Sequence, residues 1–184
     1  MLTMKFLKKL GILLITLIAL VLIIALFVKK DYHVSRSVEV SVSNADAFDY
    51  VRYLRSQDEF AVWQAMDPNV KQTYSGEDGS VGAIYKWDSK VEDVGAGEQE
   101  IMKIDDGKRI DFELRFTRPW EMTGDAYMTT EPLGDSKTKV TWAFEGSTPW
   151  PWNFFFLFMD MDGELGPDLQ KGLDNLKQNL ESQE

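Results

Sequence analysis

The sequence contains no cysteine and one histidine, His33. Without thiols there is no disulfide, no thiolate nucleophile and no cysteine-ligated metal. A lone histidine at the start of the first strand excludes a Ser-His-Asp relay or a His-rich metal site, so no metal and no cofactor is expected. Basic charge is scarce as well. The net charge is -10, and residues 1–30 hold Lys5, Lys8, Lys9, Lys29 and Lys30 with no acid, which leaves 15 basic against 30 acidic groups for residues 31–184. That acidic surface repels phosphates and excludes nucleic acid as a partner. At 184 residues the chain has room for one domain of about 150 residues and an appendage.

The appendage is apolar. From Leu10 to Val28 the sequence runs 19 residues without a charge, which at about 1.5 Å per residue spans roughly 28 Å, close to the hydrocarbon thickness of a bilayer. A cleaved secretory signal wants a shorter apolar run of about 7–15 residues and a small-x-small cleavage site. This run ends instead in Leu26-Phe27-Val28-Lys29-Lys30. The expected organisation is a basic tail over 1–9, a transmembrane helix over 10–28, a connector over 29–32 and a domain over 33–184. Lys5, Lys8, Lys9 and the terminal amine, set against Lys29, Lys30 and Arg36 on the other side, favour the N-terminus inside, which in a bacterium places the domain outside the cytoplasmic membrane.

Within the domain, valines at 34, 38, 40 and 42 alternate with polar residues and predict a half-buried strand over 33–42. Ser43 or Asn44 caps a helix whose stripe is Ala47, Phe48, Val51 and Leu54. Strands are expected over 67–74, 81–89, 98–105, 109–116, 122–132 and 138–145, separated by Gly-Glu-Asp-Gly, Asp-Asp-Gly-Lys and Gly-Asp-Ser-Lys turn signals at hairpin distance. Ile110, Phe112, Leu114 and Phe116 alternate with Asp111, Glu113, Arg115 and Thr117, as Val140, Trp142 and Phe144 alternate with Thr141 and Glu145. Such strands present one apolar and one charged face. Leu169, Leu173, Leu176 and Leu180 mark an amphipathic helix over 168–181, with Pro167 in its first turn. Gly172 falls on the buried side, where either close approach by a strand or a ligand, or simple tolerance of an isolated helical glycine, accounts for it. The order strand, helix, six strands, long helix predicts an α+β fold, a curved antiparallel sheet wrapped around the C-terminal helix.

An ordered set of stretches then resembles a known family. These are Val62-Trp63 with Met66-Asp67-Pro68, Tyr74-Ser75-Gly76, Gly79-Ser80-Val81-Gly82-Ala83, Tyr85-Lys86-Trp87, Val94-Gly95-Ala96-Gly97, Leu114-Arg115-Phe116 with Pro119, Thr138-Lys139-Val140-Thr141-Trp142, Phe158-Met159-Asp160-Met161-Asp162 and Lys171-Gly172-Leu173-Asp174-Asn175-Leu176-Lys177. Together they resemble the polyketide cyclase/dehydrase-like branch of the START/Bet v 1 (SRPBCC) superfamily over nearly all of 33–182. The resemblance implies a helix-grip fold with a deep apolar cavity between sheet and last helix, and a hydrophobic small molecule or lipid as partner. It does not imply one reaction. Gln99 departs from the family pattern, which favours an apolar residue there, and a buried amide needs partners.

The candidate ligand-binding residues are Trp63, Tyr85, Trp87, Gln99, Ile101, Ile110, Phe112, Leu114, Tyr127, Trp142, Phe144, Trp150, Trp152, Gly172 and Leu173. Trp150 and Trp152 belong to the stretch TPWPWNFFFLFMDMD, which carries too many large apolar side chains to leave in water. Core filling, a cavity lid and an interfacial belt beside the bilayer all account for it. Asp160-Met161-Asp162-Gly163-Glu164 is not a calcium loop, because position six is Leu165 and position twelve Lys171. Gly95-Ala96-Gly97 reads as a bulged start of a strand, since a phosphate loop needs a following helix. No catalytic residue is assigned; Glu98, Glu100 and Tyr127 are those a cyclase or dehydratase would draw on. Three function classes stay open: a membrane-anchored carrier of a hydrophobic ligand, such an enzyme, and a protein-interaction or stress-response module whose cavity is filled by its own side chains.

Overall fold

The structure, a computed structural model, describes residues 4–182; positions 1–3 of the expected basic tail and positions 183–184 lie outside the described residues. The chain forms α1 (Met4–Ala25), β1 (Asp31–Val40), α2 (Asn44–Arg52), α3 (Gln57–Phe60), α4 (Val62–Met66), β2 (Lys71–Ser75), β3 (Ile84–Asp88), β4 (Ala96–Asp105), β5 (Arg109–Arg118), β6 (Met122–Gly134), β7 (Lys137–Ser147), a 3-10 helix (Trp152–Leu157) and α5 (Met161–Glu181). Its described residues divide into two compact units, one made of α1, its connector and residues 147–161, the other of 33–146 with 162–182.

The larger unit is an α+β helix-grip fold. Its seven strands form one sheet in the order β1-β7-β6-β5-β4-β3-β2, antiparallel from β2 through β7. The period-two pattern sets the faces: Ile110, Phe112, Leu114, Ala126, Met128, Val140 and Trp142 are buried. Ser43 caps α2 by accepting from the Asp46 amide, and Ala47, Phe48 and Val51 bury the predicted stripe. Leu169, Leu173, Leu176 and Leu180 do the same on α5. Val40 and Leu54 complete this core.

Three differences from the sequence pattern have physical causes. Helix α1 starts by Met4 and ends at Ala25, earlier at both ends than the uncharged run. Backbone hydrogen bonding defines a helix whereas apolarity defines what surrounds it, and Lys5, Lys8 and Lys9 are good helix formers. Helix α5 starts at Met161 rather than 168. Asp162 and Glu164 occupy its first turn, where negative charge is favourable, and Pro167 sits in the second turn rather than the first. Arg36 holds that first turn to β1, donating from Nη1 and Nη2 to the two Asp162 carboxylate oxygens at 2.8 and 3.0 Å. The short helices α3 and α4 carry too few residues to show a period.

Between the third and fourth strands the Gly95-Ala96-Gly97 bulge is present: Gly95 has φ +62° and the register to β5 shifts between Ala96 and Gly97.

In the smaller unit α1 is the one described helix long and apolar enough to cross a membrane. Its most apolar stretch has mean hydropathy 2.6 and none of it is buried.

Candidate functional site

The candidate site is the inner face of the sheet together with the elements packed on it. Cross-strand register aligns Tyr74 with Tyr85, Tyr85 with Gln99, Gln99 with Leu114, Ile101 with Phe112 and Ile110 with Met128. Trp142 follows opposite Met128, and Phe144 opposite Ala126. Alternation therefore brings Tyr85, Trp87, Gln99, Ile101, Ile110, Phe112, Leu114, Trp142 and Phe144 to one surface. Trp63 of α4 meets it edge-on, 5.6 Å from the Trp142 ring and 5.9 Å from Phe144. Leu173 on α5 is fully buried. At Gly172 a Cβ would lie 2.8 Å from Trp142 Cζ3, so the missing side chain is what lets α5 approach the indole. Gly97 has the same role for Trp87: its absent Cβ leaves the ring its space, and the indole N–H donates to the Val94 carbonyl at 3.0 Å.

At the β2–β3 edge the inner face becomes polar. The Tyr74 hydroxyl donates to Asp58 Oδ2, and Gln72 Nε2 lies 3.2 Å from both Asp58 Oδ1 and the Tyr85 hydroxyl. Rings of Tyr74 and Tyr85 stack at 5.0 Å, with Tyr85 on Trp87 at 5.8 Å. Arg55 covers the other side of Tyr74, 4.0 Å from its centroid. Burial pushes the Asp58 carboxyl above the ordinary carboxylate range, and it raises the Tyr74 and Tyr85 hydroxyls, that of Tyr74 helped further by Asp58. Among the described residues the Oε1 of Gln64 and the Nε2 of the buried Gln57 find no partner. Asp58, Gln64, Gln72 and Tyr74 were not among the sequence candidates. Only Gln72 and Tyr74 carry a local signal, the two-residue spacing of β2; Asp58 and Gln64 reach the cluster through α3 and α4.

Several candidates lie elsewhere. Tyr127 stands on the outer face, opposite Asp111, because odd positions of β6 point away from buried Ala126 and Met128. There it meets His33 at 3.0 Å and carries Arg109 over its ring at 3.7 Å. Glu98 and Glu100 are outer-face groups too. Arg115 donates to Glu98 and Glu100 at 2.7 and 2.6 Å and also to Glu113, while Lys86 pairs with Glu98 at 2.6 Å. Hydrogen bonds from Lys86 and Arg115 hold the Glu98 carboxyl low, the opposite of what a general acid needs. Trp150 and Trp152 belong to the unit built around α1, both partly exposed. Among the described residues no three His, Asp or Glu side chains group as metal ligands.

Residues 31–181 match the family model described as polyketide cyclase / dehydrase and lipid transport. The chain belongs to this family. Solved structures share the polyketide cyclase fold at low identity. A truncated norcoclaurine synthase from Thalictrum flavum aligns with TM-score 0.60 and 14% identity over 83% of this chain and 96% of its own. A protein from Nitrosospira multiformis gives 0.58 and 15% over 83% and 100%, and Ara h 8.0201 gives 0.52 and 14% over 83% and 99%. No curated protein matches the sequence. The polyketide cyclase and lipid-transport family is a hydrophobic-ligand-binding family.

Proposed function

We propose that this chain is a single-pass membrane protein whose sheet-and-helix domain holds a hydrophobic small molecule or lipid between the inner face and α5, on the extracytoplasmic side. The observation that carries this reading is the inner face itself. Aromatic and aliphatic side chains from five strands, α4 and α5 form one apolar surface, and at a single edge it turns into a hydrogen-bonding set around Tyr85. Apolar burial supplies the affinity, and few convergent polar groups supply orientation. The ligand is thus mostly apolar with one hydrogen-bonding group. A helix of membrane-crossing length, uncharged from Leu10 onward, supports the anchor.

Full-length protein extracted from membranes in mild detergent and weighed by native mass spectrometry tests this. A stoichiometric apolar adduct, depleted in Tyr85→Phe, is expected. A clean mass that stays clean when phospholipids and fatty acids are offered overturns it. Labelling of Ser136→Cys by a membrane-impermeant maleimide in intact cells tests the side, with protection overturning the extracytoplasmic placement.

The Asp58–Tyr74 pair favours a second reading, proton transfer on a bound hydrophobic substrate, because a carboxyl raised by burial and bonded to a phenol is suited to acid–base work. Turnover lost in Asp58→Asn with ligand capture retained would support it.

A further inference from the structure

The last turn of α1 is completed by side chains from far along the chain. A helix leaves its final four carbonyls without intrahelical partners, here those of Leu22 to Ala25. Backbone amides of Leu26 and Phe27 take Ile23 and Ile24 at 3.1 and 2.9 Å. The other two are met from residues 150–153. Trp150 Nε1 donates to the Leu22 carbonyl at 3.2 Å, and Asn153 Nδ2 donates to Ala25 at 2.7 Å and to Val28 at 2.9 Å. Thr148 N adds a bond to the Lys30 carbonyl at 2.8 Å, and Tyr32 meets Phe156 edge-on at 5.9 Å. Asn153 is fully buried in this junction.

Around this polar clamp the same unit leaves large apolar side chains uncovered: Phe27 is 85% exposed, Phe158 75%, Trp152 61% and Phe155 53%. An aqueous loop has no reason to expose such a group, and water would satisfy helix-end carbonyls without help. In a bilayer both features make sense together. An unpaired carbonyl there has no water to bond and is strongly disfavoured, and Trp with flanking Lys is favoured at the headgroup level.

We propose that residues 150–159 form a second membrane-contact element. This aromatic collar lies in the headgroup and upper acyl region of a phospholipid bilayer, and through Asn153 and Trp150 it fixes where α1 ends. The proposal rests on the reading of α1 as an anchor. It also makes α1 a built part of the mature protein, because removal of a leader would strip Asn153 of both its acceptors.

The cysteine-free chain allows a direct test on the full-length protein in phosphatidylcholine vesicles. Single variants Phe155→Cys, Phe158→Cys, Ile15→Cys and Ser136→Cys carry an environment-sensitive fluorophore, with circular dichroism confirming the fold of each. The collar predicts blue-shifted emission at 155 and 158 that is quenched more by lipids with a nitroxide near the headgroup than by lipids with one deep in the chain. The reverse preference is expected at 15, and water-like emission at 136. Water-like emission at 155 and 158 with 15 buried in lipid overturns the collar and leaves the anchor standing. Water-like emission at 15 overturns both. A blue shift at 155 and 158 that vanishes on dilution of protein in lipid assigns the face to a second copy of the chain, and overturns the collar.

Discussion

Gly172 and Trp142 are a matched pair, the α5 backbone resting where a Cβ would stand 2.8 Å from the indole Cζ3. Alanine is worth about 1 kcal/mol more than glycine inside a helix, yet here the contact reverses the sign, since overpacking a core costs about 1–3 kcal/mol. Gly172→Ala is expected to lower the melting temperature and Gly172→Val to lower it further. In the Trp142→Phe background the alanine change should become neutral or stabilising. A stabilised Gly172→Ala in the native background would show that α5 is not held at this distance.

Asp58 and Asp162 should give opposite acid signatures. Burial raises the Asp58 carboxyl in the folded protein, so its ionised form weakens the fold above that raised value, and the penalty disappears below the unfolded-state value. The melting-temperature difference of Asp58→Asn over wild type should therefore fall as pH is lowered from 7 to 4. A difference independent of pH would mean that Asp58 is not desolvated.

The Arg36 hydrogen bonds hold the Asp162 carboxyl low, so its contribution is present above the unfolded carboxylate value and fades as pH falls through the folded one. Asp162→Asn should be less stable than wild type at pH 7 and indistinguishable from it at the lowest pH at which both fold. The pair is solvent-exposed and the effect modest. Gly166→Ala should reproduce the loss, because a Cβ there would overlap the Arg36 guanidinium.

Asn153→Asp removes both donors from the end of α1 and sets a carboxylate against carbonyls. Two lost hydrogen bonds at about 1 kcal/mol each predict on the order of thirtyfold faster trypsin cleavage at Lys29 and Lys30 in detergent. Unchanged cleavage would mean that the junction does not restrain the connector.

Gly97→Ala should push against both the Arg115 carbonyl of β5 and Trp87, whose O and Cζ2 lie 2.6 and 2.8 Å from the site of the new Cβ. A shifted tryptophan emission and weaker capture of the apolar adduct are expected. Unaltered emission together with unaltered capture would remove Trp87 from the binding surface.

Periodicity and uncharged length are legible in the linear chain. Ile110, Phe112 and Leu114 announce one apolar sheet face, the leucines of α5 announce the helix that covers it, and Leu10 to Val28 announces a membrane-length helix. These are local properties, carried by neighbours two, three or four residues apart. Tertiary structure decided which face an isolated aromatic joins and which polar groups converge. Tyr127 has the composition of a cavity residue, but its odd position in β6 sends it outward to His33 and Arg109. Asp58 and Tyr74 meet across 16 residues, Trp142 and Gly172 across 30, and Asn153 meets Ala25 across 128. No pattern of adjacent residues encodes such meetings, because they exist only once the sheet has set its register and the helices have packed.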